Sequence, residues 1–279
     1  MGSATVTFEK WQALGNDYII LEEDLLPWEL TTERIERICA AHFGCHSDGI
    51  LLLAKPSSTE FAARLRIFNP DGSEAELSGN GAREAALYIH HAGWTNRRAF
   101  SIETAAGEIQ PTITSSTTCS IDMGHAKLES KDFTGAATAI EADGRTWEFV
   151  HVSIGNPHAV IEVEDGLEDL DLSRVGPIVE NSPLFPNRTN VEFITRIGSS
   201  RVRARIWERG VGETLASGTG SSAAAVVATL RGTSSPVSVE LDGGELKIEV
   251  GDNLHVQMTG PAYRVFSGEF SRGFIESLN

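Results

Sequence analysis

The chain has 279 residues, of which 41% are hydrophobic and 22% charged, and its formal net charge is −16. This composition is that of a globular protein large enough for one large domain or two of ordinary size. The acidity argues against a nucleic-acid partner, because a phosphate-binding surface needs clustered lysine and arginine. No stretch of about 18 apolar residues is present for a membrane span, so we expect no membrane partner. Three cysteines, a low and odd number, favour a reducing compartment, and we expect a cytoplasmic protein.

The first predicted helix is the amphipathic stretch TTERIERICAAHFG. Threonine is a good N-cap, so the helix is expected to begin after Thr31 or Thr32. Gly44 is the expected end, with Cys39 buried. The alternative is a zinc site, although structural zinc sites usually separate their two ligand pairs more widely. Its ligands would be Cys39, His42, Cys45 and His46.

The chain repeats itself at half its length. Residues 64–81, RLRIFNPDGSEAELSGNG, align with residues 203–220, RARIWERGVGETLASGTG, at a constant offset of 139 residues. A second pair of phrases, LGNDYIILEE and IGNPHAVIEVED, shares Gly-Asn at an offset of 140 residues. Solenoid repeats recur every 20 to 50 residues, so this period indicates the duplication of a whole domain.

In each copy an alternating strand precedes the repeated motif and an alanine-rich helix follows it. The strands are predicted over Arg64–Phe68 and Arg203–Trp207, and the helices over AREAALYIHHAG and SSAAAVVATLRG, each closed by a glycine. Further short strands are predicted from their alternation. They are Ser101–Thr104, Thr189–Ile194, Val237–Leu241 and Leu254–Met258.

These elements predict an α/β (α+β) fold with two domains, each a curved sheet around one buried helix. The loosest stretch between the halves is Glu129–Arg145, which indicates the neighbourhood of the boundary. We expect an N-terminal domain over 1–126 and a C-terminal domain over 127–262, with the segment 263–279 returning to the first.

Each copy places Ser-Gly-x-Gly at a helix start, where free backbone N–H groups and the helix dipole favour an anion. If the halves meet across a pseudo-dyad, both helix starts point at one crevice, with Ser78 and Ser217 on opposite sides of a bound carboxylate. That arrangement suits inversion at a carbon next to a carboxylate, where one group removes a proton and another delivers one to the opposite face. The simpler alternative is that each serine is only an N-cap.

The phrases LGNDYI, FNPDGSEAELSGNGAR, SIGNPHAV, TNVEFI and IWERGVGETLASGTGSSAAA together resemble the diaminopimelate epimerase family. These are cofactor-independent amino-acid epimerases of lysine and peptidoglycan biosynthesis. The resemblance implies interconversion of LL- and meso-2,6-diaminopimelate by two-base proton transfer at the α-carbon. It also implies two pseudo-symmetric domains, each a barrel-like, mostly antiparallel sheet around a central helix. The same resemblance implies a homodimer that uses neither pyridoxal phosphate nor a metal.

The resemblance assigns roles to individual residues. The reacting α-carboxylate would be held by Gly79, Asn80, Gly218 and Thr219. The distal amino-acid head would be read by Asn16, Asn69, Asn156, Asn190 and Arg209. His158 and Glu208 resemble the residues beside the two catalytic positions. The alternatives are that such asparagines are turn residues and that the arginine is a surface charge.

The chain departs from the family at the catalytic positions, where Ser78 and Ser217 stand in place of cysteines. The pKa of an unperturbed cysteine thiol is about 8.5, whereas a serine hydroxyl needs an adjacent base before it can take a proton. Three interpretations remain open: a double Cys→Ser form that binds substrate with little or no turnover, a natural homologue in which His158 or Glu208 activates the hydroxyls, and a non-catalytic amino-acid binding protein. An isomerase or lyase of another amino acid that uses serine-assisted chemistry is a further alternative.

A second departure lies in HFGCHSDGILLL, where the family usually has small residues between Phe-Gly and Asp-Gly. Cys45 and His46 place bulk and a titratable group in a loop that we expect near the pocket. His46 is a candidate base there, and the alternative is a packed or exposed loop histidine.

Overall fold

The computed structural model describes residues 5–135 and 137–278. Outside the described residues lie 1–4 and 279, which belong to the predicted N-terminal domain, and 136, which belongs to the predicted C-terminal domain. Its helices are α1 (Thr32–Cys39), α2 (Gly79–His91), α3 (Leu172–Glu180), α4 (Gly218–Leu230) and α5 (Arg272–Ser277). Its strands are β1 (Thr7–Ala13), β2 (Asn16–Glu22), β3 (Ile50–Ala54), β4 (Phe61–Phe68), β5 (Glu74–Ala75), β6 (Ser101–Thr104), β7 (Gly107–Ile109), β8 (Pro111–Ile113), β9 (Thr118–His125), β10 (Ala139–Ala142), β11 (Arg145–Glu148), β12 (Val150–Ser153), β13 (Pro157–Glu162), β14 (Asn190–Gly198), β15 (Arg201–Glu208), β16 (Gly212–Thr214), β17 (Val237–Leu241), β18 (Gly244–Val250), β19 (His255–Pro261) and β20 (Tyr263–Glu269).

The chain divides into two units. Unit 1 contains the residues up to Ile121 and those from Gly260 onward, and unit 2 runs from Asp122 to Thr259. The chain therefore passes from one unit to the other twice, once inside β9 and once inside β19. The boundaries expected from the sequence, after residues 126 and 262, lie a few residues beyond these two points.

The two units have the same sheet topology. The strands β1-β2-β3-β4-β6-β7 of unit 1 match β12-β13-β14-β15-β17-β18 of unit 2 in order, while β20 pairs beyond β1 in unit 1 and β19 pairs beyond β18 in unit 2. Most pairs are antiparallel, and the parallel pairs fall at equivalent places: β2 with β3 and β4 with β6 in unit 1, β13 with β14 and β15 with β17 in unit 2. This shared order confirms the duplication that the sequence predicted.

Neither sheet closes into a barrel within the described residues, since each strand order has two ends. The prediction of a mostly antiparallel sheet around a helix is confirmed. The prediction of a barrel is wrong, because each sheet is open. Two short strands pair outside the main path, β5 with β4 and β16 with β15. They lead directly into α2 and α4.

The central helices α2 and α4 are 13 residues long each and are mostly buried. Helix α2 contacts β1, β2, β3, β4 and β8, and α4 contacts β12, β13, β14, β15, β17 and β18. Small residues allow this close packing: a Cβ at Gly81 would lie 2.9 Å from Leu51 Cδ2, and one at Gly220 would lie 2.9 Å from Glu192 Oε1. The prediction of a buried, alanine-rich helix in each half is confirmed.

Equivalent ion pairs fix the hairpin that precedes each central helix. Arg66 Nε donates to Glu74 Oε1 over 2.9 Å across β4 and β5. Arg205 Nε donates to Glu213 Oε1 over 2.9 Å across β15 and β16. Both residues of the second pair stand 139 positions after those of the first, so the repeat extends to side-chain contacts.

Helix α1 is shorter than predicted. Its N-cap is Thr31, whose side chain accepts a hydrogen bond from Arg34 N, as expected. The helix ends at Cys39 instead of Gly44, because the amides of Gly44 and Cys45 turn back to the carbonyls of Ala40 and Ile38. Gly44 is required by close approach, since a Cβ there would lie 2.2 Å from Ile38 O.

Within the part of the chain that the structure describes, no helix is long and apolar enough to cross a membrane.

Candidate active site

Ser78 lies at the start of α2, where the chain leaves β5. It is the N-cap residue, and its Oγ accepts a hydrogen bond from Gly81 N over 3.1 Å. The phenol of Tyr18, on β2, donates to the same oxygen over 3.3 Å. The N-cap interpretation of Ser78 is therefore confirmed, and the hydroxyl also has a tyrosine neighbour that the sequence did not reveal.

The first turn of α2 is held by a buried guanidinium. Asn80 is 7% exposed, and its Oδ1 accepts from Arg83 Nη2 over 2.9 Å. Arg83 Nη1 also donates to the carbonyl of Gly79 over 3.0 Å. Gly79 and Asn80, which are predicted to hold the carboxylate in unit 1, thus belong to a helix start that the buried Arg83 guanidinium stabilises.

The two predicted recognition asparagines of unit 1 are each hydrogen-bonded in their own loop. Asn16 follows the turn at Gly15, whose φ of 90° favours glycine, and its Nδ2 donates to Asp48 Oδ2 over 2.9 Å. Asn69 follows β4, and its Nδ2 donates to Ser73 Oγ over 2.9 Å. Both amides are half-buried.

Ser217 occupies the equivalent position of unit 2. It is the N-cap of α4, it is 4% exposed, and its Oγ accepts from Gly220 N over 3.3 Å. The half-buried Glu208 ends β15, and its carboxyl lies beside this hydroxyl. Burial raises the pKa of Glu208, while the hydroxyls of Thr214 and Ser217 and the nearby His158 oppose the rise.

His158 is fully buried on β13, and both of its ring nitrogens are engaged. Nδ1 lies 2.7 Å from Glu192 Oε1, and Nε2 lies 2.9 Å from Asn156 Oδ1. Burial raises the pKa of Glu192, which is also fully buried on β14, and the neighbouring histidine lowers it in part. The predicted pair of Asn156 and His158 therefore forms one cluster with a glutamate that was not predicted.

The predicted pair of Asn190 and Arg209 is joined by a backbone contact. Asn190 Oδ1 accepts from Arg209 N over 2.9 Å, and its Nδ2 donates to Pro157 O over 3.0 Å. The buried Glu180 holds the next residue of the loop, since its Oε1 accepts from Gly210 N over 2.9 Å. The arginine itself is half-buried, and its Nη1 donates to Asn187 O over 3.1 Å.

The remaining predicted residues, Gly218 and Thr219, open α4. The carbonyl of the buried Gly218 accepts from Ser222 Oγ over 2.8 Å, and Thr219 is half-buried. Their amides belong to the first turn, where intrahelical partners are lacking. They stand where Gly79 and Asn80 stand in α2, at an offset of 139 residues.

Aligning the two units by the repeat shows that different side chains surround the two helix starts. Tyr18 aligns with His158 at an offset of 140, and Asn69 aligns with Glu208 at an offset of 139. Opposite the central glycine, Leu51 in unit 1 takes the place of Glu192 in unit 2. The hydroxyl in unit 1 therefore has a phenol beside it, whereas the hydroxyl in unit 2 has a carboxylate.

Unit 1 has a buried carboxylate of a different kind on α2 itself. Glu84 is fully buried, and neither of its carboxyl oxygens has a hydrogen-bond partner. Burial raises its pKa well above the usual value, and the charge of Arg83 offsets only part of this. The equivalent residue of α4 is Ala223, so the repeat does not explain this carboxylate.

The loop before β3 does not gather metal ligands. Among the residues that the structure describes, no three histidine, cysteine, aspartate or glutamate side chains are placed to hold a metal ion. Cys39 is buried and accepts from Ser47 Oγ over 3.4 Å, while His46 is exposed with a φ of 50°. Burial raises the pKa of Cys45. Of the two alternatives for His46, a base in the pocket or a loop histidine, the structure favours an exposed loop histidine.

Four polar residues near these helix starts were missed by sequence reasoning. For two of them the sequence offered a signal, a lone carboxylate inside an apolar run, as in NVEFI and GAREAAL. They were missed because alternation alone does not place an acid on a buried face. The other two carry no local signal, since the contacts that place them at the site reach residues 27 to 60 positions away. The four residues are Tyr18, Glu84, Glu180 and Glu192.

Comparison with known proteins identifies the family of the chain. The sequence profile of the diaminopimelate epimerase family matches residues 8–129 and 150–265. The diaminopimelate epimerase of Moorella thermoacetica is 42% identical, over 94% of this chain and 98% of that protein. Diaminopimelate epimerase 2 of a Nostoc species is 41% identical, over 95% of each chain.

A phenazine biosynthesis protein of the PhzF family from Bacillus anthracis shares the fold, with a TM-score of 0.68 at 20% identity over 96% of this chain and 99% of that one. At such low identity the likeness concerns the fold alone, whereas the curated relatives match in sequence along nearly the whole chain. The chain belongs to the diaminopimelate epimerase family, whose members are isomerases of the type that works without pyridoxal phosphate.

Proposed function

We propose that this chain is a diaminopimelate epimerase scaffold that binds LL- and meso-2,6-diaminopimelate and, as a double serine form, turns them over little or not at all. The homologues support diaminopimelate epimerase function and a place in lysine biosynthesis. The observation that carries the proposal is the pair of serines at equivalent helix starts, Ser78 on α2 and Ser217 on α4.

The helix starts are suited to the reacting α-carboxylate. The first-turn amides of Gly79 and Asn80, and those of Gly218 and Thr219, point their N–H groups away from the helix and attract an anion. Deprotonation at the α-carbon increases the negative charge on that carboxylate. Fixed amides stabilise this charge without reorganising during the reaction.

We assign recognition of the distal amino-acid head of the substrate to a set of four asparagines and one arginine. A guanidinium fork with convergent amides suits a carboxylate beside an amine. Asn190 accepts from the backbone amide of Arg209 over 2.9 Å, and the Arg209 guanidinium donates to Asn187 O over 3.1 Å, which supports a positioned fork. The full set is Asn16, Asn69, Asn156, Asn190 and Arg209.

The two catalytic positions limit turnover. In the family's two-base mechanism each position must accept or donate a proton near neutral pH, and a serine hydroxyl does so only with help from a neighbour. Both hydroxyls here accept a hydrogen bond from a glycine amide, as N-caps do. Losing one positioned acid or base costs about 10² to 10⁴ in rate.

The same caps favour one rival, a binding protein that holds diaminopimelate without any chemistry, because capping alone gives each serine a structural role. The two proposals differ in turnover after the catalytic groups are restored. A disarmed epimerase should regain activity with two thiols, whereas a binding protein with a remodelled pocket should not.

We also propose a cytoplasmic homodimer that needs no cofactor or metal. The free edge of unit 1 supports the dimer: β20 ends the sheet order, and three large apolar residues on it are about half exposed. An apolar edge strand of this kind is usually covered by a partner. The residues are Tyr263, Val265 and Phe266.

The test is to measure LL-diaminopimelate binding by calorimetry and epimerisation by chiral chromatography, on this chain and on the Ser78→Cys/Ser217→Cys variant. We expect binding to both and epimerisation in the variant alone. The matched control is Ser271→Cys, which replaces the N-cap serine of α5, far from either motif in sequence. Absence of binding, or a folded double variant that binds without epimerising, would contradict the proposal.

A further inference from the structure

A pair of thiols lies at the end of α1, outside the residues assigned to the substrate. Cys39 is the last residue of the helix, and Cys45 follows it in the loop that leads to β3. Both thiols are free, and Cys39 is buried while Cys45 is half-buried. The proposed function uses neither of them.

The backbone brings the two cysteines close together. Cys45 N donates to Ile38 O over 2.7 Å, and this carbonyl belongs to the peptide bond that leads into Cys39. Even a straight path through this hydrogen bond and the standard bonds beside it puts the two α-carbons no more than about 7 Å apart, and the angles along the path shorten it. Disulfides join α-carbons that are about 4.4 to 6.8 Å apart. The fold therefore gives this pair the reach of a disulfide.

The two side chains also lead into the same part of the core. Cys39 belongs to a hydrophobic cluster of unit 1, and Cys45 packs against that cluster. A negative charge on the Cys45 thiol raises the pKa of Cys39, so the two groups are near enough to interact. Side chains that diverge cannot be bridged without movement of the backbone, and these two do not diverge.

The two thiols differ in their access to a reagent. Cys45 is half-buried, and the ammonium of Lys10 opposes the rise in pKa that burial causes. Lys10 is held beside the loop because its Nζ donates to His46 O. Cys39 is only 6% exposed, and Ser47 Oγ donates to its sulfur over 3.4 Å. A reagent from solution therefore reaches Cys45 first.

We propose that Cys39 and Cys45 are a redox-active pair, which low-molecular-weight disulfides such as glutathione disulfide convert reversibly into a disulfide. Cys45 is the attacking thiol and Cys39 the resolving thiol. The inference does not depend on the proposed function. It gives a chemical role to the motif CAAHFGC, which neither the helix nor the zinc alternative explained. Disulfides in a reducing compartment are usually transient, as a reversible pair requires.

The reaction is a thiol–disulfide exchange in two steps. The Cys45 thiolate attacks one sulfur of the small disulfide, the bond between the two small sulfurs breaks, and one small thiolate leaves. The Cys39 sulfur then attacks the Cys45 sulfur, and the second small thiolate leaves. The two cysteine protons end on the released small thiols. The protein is oxidised by two electrons, and the small disulfide is reduced by two.

The disulfide closes a ring over residues 39–45, just before the residue that supports a predicted recognition asparagine. Asp48 Oδ2 accepts from Asn16 Nδ2 over 2.9 Å. The reduced loop is held to α1 by hydrogen bonds, including one from Ser47 N to Cys39 O over 3.3 Å. The oxidised loop is held covalently as well, so it opens less often. Its amides should therefore exchange with D₂O more slowly.

The experiment incubates the full-length chain with glutathione disulfide at about pH 8.5, where a larger fraction of a thiol is ionised. Intact mass and tryptic peptide mapping identify the product. Both thiols lie in one tryptic peptide, 38–64, because the Lys55-Pro56 bond resists trypsin, whereas Cys119 lies in 99–127. We expect a chain that is lighter by two hydrogens, with the link inside peptide 38–64, and full reversal by dithiothreitol.

Three variants separate the roles of the thiols. Cys39→Ala should stop with one glutathione on Cys45, because the resolving thiol is missing. Cys45→Ser should remain unmodified, because Cys39 is buried. Cys119→Ser is the matched control and should react as the parent does, since burial raises the pKa of Cys119 to about 12.

Several results would each overturn the inference. They are an unreactive Cys45, a glutathione adduct on Cys45 of the parent that does not resolve, a link to Cys119, a disulfide between two chains, and modification of Cys39 in the Cys45→Ser variant. Equal amide exchange in the reduced and oxidised loops would do the same, because it would mean that the disulfide restrains nothing. Binding of diaminopimelate is not a readout here, so the proposed function stands or falls separately.

Discussion

Glutamine in place of Glu84 should remove a pH-dependent loss of stability that originates in α2. The carboxyl is fully buried without a hydrogen-bond partner, and burial raises its pKa well above the ordinary value of 4.5. Because the folded pKa is raised, the contribution of this group is fully present below that ordinary value and is lost as the pH rises toward the folded pKa. Over this interval the unfolded chain ionises while the folded chain stays protonated, which lowers the free energy of unfolding by about 1.4 kcal/mol per pH unit.

The measurement is urea unfolding of the parent chain and of Glu84→Gln at intervals from pH 4.5 to pH 8. The buried amide keeps a constant cost of about 1–3 kcal/mol, so the slope with pH is the informative quantity and the absolute difference is not. Glu249→Gln, an exposed position on β18, corrects for the loss of one charge. Parallel pH curves for the parent and Glu84→Gln would refute the reasoning, because they would show that the carboxyl ionises equally in both states.

Three further substitutions test the helix starts and their supports. Gly220→Ala places a Cβ 2.9 Å from the buried Glu192 Oε1 and should cost about 1–3 kcal/mol in urea unfolding. Glu180→Ala removes the acceptor that holds the loop after Arg209 and should weaken diaminopimelate binding in calorimetry by about 1–3 kcal/mol. Thr31→Ala removes the N-cap of α1 and should lower the free energy of unfolding by about 1 kcal/mol.

Each of these substitutions has a matched control. Gly81→Ala introduces the same methyl in α2 against Leu51 instead of a carboxylate, so an equal cost at both glycines would exclude a special role for the glutamate. Glu213→Ala removes an exposed acid on β16 and should leave binding unchanged; equal weakening there would mean that the buried acceptor does not fix the loop. Thr31→Ser keeps the cap, and a loss as large as that of alanine would contradict the capping argument.

Periodicity and repetition predicted the architecture because they act locally. The strand over Ser101–Thr104 and that over Val237–Leu241 have the predicted bounds, and each alanine-rich run forms a buried helix. The open edges of the two sheets could not be predicted, since pairing between distant strands leaves no periodic signal. The end of α1 was wrong for a similar reason: Ile38 O is taken by Cys45 N, a contact that depends on the path of the following loop.

The residues of the candidate site also differ in whether a local sequence signal reveals them. Ser78 and Ser217 were recognisable because the motif occurs twice, and the structure supports both as N-caps. Glu192 was missed although it is a lone acid in an apolar run, because its partner His158 is 34 residues away and a single acid in a strand usually faces solvent. The roles of the asparagine and arginine set stay predictions, which the binding experiments address.

The route of the chain through its two units imposes an order on synthesis. Unit 2 is one uninterrupted segment, whereas β1 of unit 1 pairs with β20, so that Arg264 and Glu9 form an ion pair across 255 positions. On the ribosome, β1 must therefore wait with an open edge until β20 has emerged, while the strands of unit 2 already have their partners. Exposed strand edges on nascent chains are prone to wrong pairing. The unit whose synthesis begins first is therefore the one whose sheet is completed last.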